Sequence, residues 1–196
     1  MKKRMALIFL TGMLLAGLMT GCGSSNRSSD ETVTEDAKDP AGMVHLDSEA
    51  DVSALFDEIY GGVDEDLLPY EVQLTELSMD EDDLISYHTG LADMNGIDSI
   101  YLSESMIGST PYSAVYIKTT DDGNANEILQ ELMESINPAK WVCVTAEKQI
   151  GATFGGDIFF VMGYAETADA VFEGAKAAAE SRDMTVANTT EKNNPI

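Results

Sequence analysis

The stretch from Ser99 to Ala179 carries an internal repeat, and no other feature of the chain limits its fold so strongly. A gapless shift of 43 residues lays Ile107-Gly108-Ser109-Thr110 onto Ile150-Gly151-Ala152-Thr153. The same shift places Glu104 on Glu147, Val115-Tyr116-Ile117 on Ile158-Phe159-Phe160, Ala125 on Ala168, and Ile128-Leu129 on Val171-Phe172. Within each copy the apolar period changes from two to 3.6 residues, after Thr120 and after Gly163, so each predicts two strands followed by a helix. The predicted elements are strands 97–104 and 112–119 with helix 124–136, then strands 141–147 and 157–163 with helix 167–181. A tandem ββα unit of this kind is an α+β fold, a small antiparallel sheet with both long helices on one face.

The helical stripes Ile128, Leu129, Leu132, Ile136 and Val171, Phe172, Ala175, Ala179 are expected to cover Val115, Ile117, Ile158 and Phe160. Strand alternation then sends Tyr101, Tyr112, Tyr116, Trp141, Cys143 and Phe159 to the opposite face. Left open, Tyr101, Tyr116, Trp141 and Phe159 would form an aromatic ligand face for a peptide, a sugar or another surface protein. Covered by the amino-terminal helices, the same residues would form a second core, the favoured reading because the strands need cover and those helices need a surface to pack on. Those helices are expected from Val52, Leu55, Phe56 and Ile59 at helical spacing, with Ser48 as cap and Gly61-Gly62 as stop, and from Ser78 to Gly90. Tyr70 to Leu77 alternates loosely, as a strand would.

The amino terminus carries an address. Met1-Lys2-Lys3-Arg4 is a short basic segment, Ala6 to Leu18 is apolar, and Thr20-Gly21-Cys22 follows. This order predicts a secretory signal, too short for a spanning helix. Its ending resembles the bacterial lipobox, which implies cleavage between Gly21 and Cys22 and a lipid on the Cys22 thiol. Met19 stands where that pattern usually has Leu, Val or Ile, with Leu18 one place earlier. The expected partner is therefore the cell membrane, reached from its extracytoplasmic side through Cys22.

Charge supports part of this. With 35 acidic and 11 basic side chains, for a net charge of −24, the chain has no basic patch to neutralise phosphates, so a nucleic-acid partner is not expected. Such a surface is also repelled by anionic headgroups, which leaves attachment to the lipid alone. The expected organisation is a signal peptide over 1–21, a flexible acidic tether over 22–47, one α+β domain over 48–184 and a disordered polar tail over 185–196.

Chemistry is sparse. His45 and His88 are the only imidazoles; His45 falls at the end of the tether, and His88 on a short helix is expected to be structural. Cys143, between Val142 and Val144, is expected to be a buried, inert thiol. Asp64-Glu65-Asp66, Asp80 to Asp83 and Asp121-Asp122-Gly123-Asn124 lack the ligand spacing of a calcium loop. No catalytic residue, metal site or cofactor is expected. A lipid-anchored binding or accessory module is the leading reading, and a small wall-modifying hydrolase built on carboxylates is the alternative.

Three further words, Met106-Ile107-Gly108-Ser109, Pro111-Tyr112-Ser113-Ala114-Val115 and Asn137-Pro138-Ala139-Lys140-Trp141-Val142-Cys143-Val144, resemble conserved blocks of small uncharacterised lipoproteins from Gram-positive anaerobes. The resemblance spans roughly the carboxyl-terminal two thirds of the chain. It implies a shared fold and a cell-surface location, and no particular activity.

Overall fold

The structure, a computed structural model, describes residues 44–195. The expected signal peptide, Gly21, Cys22 and most of the tether lie outside the described residues. In chain order the elements are α1 (Glu49–Gly61), a 3₁₀ turn (Glu65–Leu67), β1 (Val72–Leu77), α2 (Asp82–Thr89), β2 (Ile97–Ser105), β3 (Tyr112–Thr119), α3 (Ala125–Ser135), β4 (Lys148–Phe154), β5 (Asp157–Gly163), α4 (Ala165–Glu180) and β6 (Val186–Asn193). The class is α+β, an open six-stranded antiparallel sheet of order β1-β2-β3-β5-β4-β6.

Local signals account for many boundaries. Ser48 caps α1 by accepting the Asp51 N–H on its side-chain oxygen at 3.3 Å. Gly90 ends α2 in the left-handed region (φ 79°), and a side chain there would overlap the Ser135 backbone at the end of α3.

The sheet is buried on both faces, so its central strands β3 and β5 read as nearly continuous apolar runs. One core joins α1 and α4 to Tyr101, Tyr112, Tyr116, Phe154 and Phe159. The other joins α2 and α3 to Ile100, Leu102, Val115, Ile117, Ile158 and Phe160. The molecule therefore has three layers, helices–sheet–helices.

Three expectations are corrected here. The two long helices expected on one face of the sheet lie on opposite faces, because α3 packs in the second core and α4 in the first. Connection handedness explains this. Strands β3 and β5 are antiparallel, and the crossovers β3-α3-β4 and β5-α4-β6 each skip one strand in the same direction across the sheet. Crossovers are overwhelmingly right-handed, and two of the same hand leaving oppositely directed strands must run over opposite faces.

The second correction is register. The predicted strand 141–147 is loop, and β4 occupies 148–154. The word Ile107–Thr110 sits in the β2–β3 connection, whereas its repeat match Ile150–Thr153 sits inside β4. The shift by 43 lays Tyr116 on Phe159, and these two face each other across β3 and β5. It fails for the outer strands because the β4–β5 turn is only Gly155-Gly156, while the β2–β3 connection runs from Met106 to Pro111.

The third correction concerns the ends. The expected tail over 185–196 contains β6, which pairs with β4 from Phe154↔Val186 to Lys148↔Asn193. Its polar side chains are those of an exposed edge strand, and edges are kept polar to avoid pairing with other chains. The tether, expected to run through residue 47, is already docked at its last residues, with Leu46 buried.

Leu129→Ala and Phe172→Ala should each cost about 2–5 kcal/mol as cavity-forming substitutions. They sit in different cores, so the double variant should be additive within about 0.5 kcal/mol. Urea unfolding of the three proteins measures both. Limited proteolysis should leave 186–193 in the resistant fragment.

Candidate functional site

The aromatic face is covered, the favoured of the two readings of the sequence, and so offers no ligand surface. Tyr101, Tyr116 and Phe159 are all buried beneath α1 and α4, and Phe159 packs between the rings of Phe56, Phe154 and Phe172. Trp141 belongs to neither a strand nor that face; it is half-buried against the opposite core. Cover for the aromatic side comes from α1 and α4, while α2 crosses to the other face. Cys143, expected in a buried strand, is exposed in the loop with φ at 64°.

Two polar clusters occupy the two ends of the sheet instead. The first is built on Asp157, which opens β5 and is fully buried. Its carboxylate accepts the Tyr116 hydroxyl at 2.7 Å, the Thr119 N–H at 3.0 Å and the Leu46 N–H at 3.4 Å, and lies 2.7 Å from His45 Nδ1. A buried carboxylate is tolerated only with such a set of donors. Burial first, and then the neighbouring Asp157 charge, push the Tyr116 hydroxyl well above its ordinary pKa, so it stays a donor. A side chain on Gly156 would overlap the His45 ring, so the glycine leaves the space that ring fills. The cluster fastens residues 44–46 to the β4–β5 turn.

The second cluster lies at the opposite end, on the α2–α3 face. Glu104 and Ser113 are register partners on β2 and β3. His88, in the last turn of α2, and Lys140, in the loop 137–147, close over them. Lys140 Nζ is 2.5 Å from Glu104 Oε1, 3.2 Å from Ser113 Oγ and 3.3 Å from His88 Nδ1, with its side chain only 1% exposed. The Glu104 contact is an ion pair off the line of a well-formed hydrogen bond. His88 Nδ1 is also 3.4 Å from Glu104 Oε2. Tyr87 donates its hydroxyl to the Lys140 carbonyl at 2.8 Å, and the ammonium stands 5.4 Å from the Trp141 ring centre.

Electrostatics decide what this cage can do. Burial works to raise the Glu104 pKa, but the His88 hydrogen bond and the Lys140 charge outweigh it and hold the carboxyl down to about 2. For Lys140, burial outweighs the pairing and lowers its pKa. A serine near a desolvated lysine has the components of a nucleophile and base. Here Ser113 is fully buried and Glu104 pairs with the ammonium. The arrangement therefore clasps the loop to the sheet. His88 contributes its Nδ1 to this cage, near both Lys140 and Glu104.

Sequence reasoning missed Asp157, Glu104, Ser113 and Lys140. One signal was available for Asp157, a carboxylate directly heading the apolar run Ile158–Met162. Nothing local marked Lys140, whose partners are 27, 36 and 52 residues away.

Among the described residues no group of three or more His, Cys, Asp or Glu could hold a metal ion, and no helix is long and apolar enough to cross a membrane. No protein-family model, curated protein or solved structure matches the chain.

The depressed Glu104 pKa sets the sign of a pH effect. A carboxylate held below its unfolded value contributes stability above pH 4.5, and loses it as pH falls toward about 2. Wild type should therefore lose more stability between pH 6 and pH 3 than Glu104→Gln does, read as urea midpoints at both pH values. At neutral pH, Glu104→Gln strands the buried ammonium and should cost about 3–5 kcal/mol.

Proposed function

We propose that this protein is a lipoprotein held on the extracytoplasmic face of the cell membrane by a lipid on Cys22, and that it acts as a non-catalytic binding or accessory module. One observation carries the reading: the run from Met1 to Cys22, with a basic start, an apolar middle and the lipobox-like ending Thr20-Gly21-Cys22. The net charge of −24 fits a domain that its lipid holds near an anionic surface without docking on it. The Asp157 cluster adds support, because it fastens the chain that arrives from Cys22 to a buried carboxylate.

The carboxylate-hydrolase alternative needs a carboxyl with a raised pKa to act as general acid. Glu104, the carboxyl most strongly perturbed, is shifted the other way. We also infer that the two ββα units arose by duplication. Its support is a single register pair, Tyr116 and Phe159, 43 residues apart and facing each other across β3 and β5.

The test is metabolic labelling of the full chain with an alkyne fatty acid in a Gram-positive host. Wild type should be labelled and fractionate with membranes, and Cys22→Ala should be unlabelled. Labelling that persists in Cys22→Ala overturns the lipid anchor.

A further inference from the structure

At the end of the sheet opposite the Asp157 cluster, two tyrosine rings stand in solvent on the side where Tyr101, Tyr112, Tyr116 and Phe159 are buried. Tyr70 is 74% exposed and Tyr164 is 43% exposed. They border one cleft of about 260 Å³, whose walls include Asp66, Leu67 and Pro69 before β1, and Pro111 at the start of β3. Met106 and Ile107 extend the apolar rim. Met106 donates its N–H to the Glu71 carbonyl at 2.9 Å, and Ser105 donates its hydroxyl to the Tyr70 carbonyl at 3.3 Å, so the hairpin and the Tyr70 segment form one surface. Glu71 itself is held at φ 54°, a conformation that costs a side-chain-bearing residue and turns Tyr70 into position.

Size, ring chemistry and charge narrow the occupant. The volume lies below the roughly 300–1,000 Å³ of small-molecule sites, and suits a single side chain of a larger partner. The charge around it is negative. Asp66 lines the cleft, and Glu71 and Glu166 are exposed beside it. The positive end of α4, which would otherwise favour an anion, is already met by Glu147, whose carboxylate accepts the Ala165 N–H at 3.0 Å. Lysines at this end are engaged or distant. Lys140 is closed in its cage, Lys148 is paired with Asp169 at 2.7 Å and Glu191 at 3.1 Å, and Lys192 lines a cleft beside α3. Exposed tyrosine rings and a carboxylate lining one cleft attract a cation through both the ring quadrupole and the charge. A second copy of this acidic chain would be repelled.

We propose that this cleft receives a lysine or arginine side chain of a basic polypeptide partner, seated between Tyr70 and Tyr164 with Asp66 as counter-charge. The proposal names a partner for the binding role above and rests on that role, not on the lipid. Residues 44–46 are fastened at the opposite end of the sheet from this cleft.

The experiment titrates the full chain in detergent with acetyl-tetralysine-amide at physiological salt, followed by amide chemical shifts or tyrosine fluorescence. Tyr70→Ala and Tyr164→Ala leave the net charge unchanged, and each should weaken binding by about three- to thirtyfold, the range of a cation–π contact. Tyr70→Phe and Tyr164→Phe keep the ring and should bind as wild type. Asp66→Asn should weaken binding, while Asp122→Asn, the same charge change at the other end, should not. Affinity indifferent to the tyrosines would mean attraction by net charge alone and would overturn the site. So would an N-acetylglucosamine oligomer that binds the cleft where tetralysine does not. Fatty-acid labelling at Cys22, read on the same variants, shows separately whether the anchor stands.

Discussion

Everything in this fold leans on the antiparallel pairing of β3 with β5. Both strands are buried on both faces, so the two strands at the middle of the sheet supply side chains to two cores at once. Tyr112, Ala114 and Tyr116 point toward α1 and α4, and Val115 and Ile117 toward α2 and α3. A sheet so placed needs helices on both sides. The antiparallel direction of the pair, combined with right-handed crossovers, delivers one from each half.

The polar groups inside this frame fasten irregular chain to regular structure. Asp157 gathers donors from Tyr116, Thr119, His45 and Leu46, and so ties residues 44–46 to the β4–β5 turn. Lys140 does the same for the loop 137–147, with Glu104, Ser113 and His88 as its holders. Tyr60 makes a third tie, its hydroxyl 2.6 Å from Ser103 and 2.8 Å from Tyr112, with its pKa pushed to about 12 by burial. Buried polar clusters of this kind are costly unless complete, and complete ones specify a single arrangement. Both ionic clusters sit where the chain leaves the sheet, and there they set loop position. That is a structural use of residues that, by type alone, resemble catalytic sets.

Much of the fold was legible in the sequence because local physics governs it. The stripes of α1, α3 and α4, the Ser48 cap, the glycine stop at Gly90 and strands β2, β3 and β5 all follow from short-range periodicity and capping. What failed had non-local causes. β6 is polar, and only its pairing with β4 makes Val186–Asn193 a strand. The segment 141–147 alternates like a strand yet is pulled out as loop by the Lys140 clasp. The expected gapless repeat does not extend to the outer strands, because the two hairpin connections differ in length.

By itself, then, the sequence determined the long helices, the strands β2, β3 and β5 and the acidic character, since each depends on neighbouring residues or on simple sums. Tertiary structure alone decided which face each helix took, that the aromatic residues of the inner strands became core, and that Tyr70 and Tyr164 stayed outside. The physical reason is that burial belongs to the assembled layers. Alternation assigns a side chain to one face of a sheet, and only the path of the crossovers determines what, if anything, covers that face.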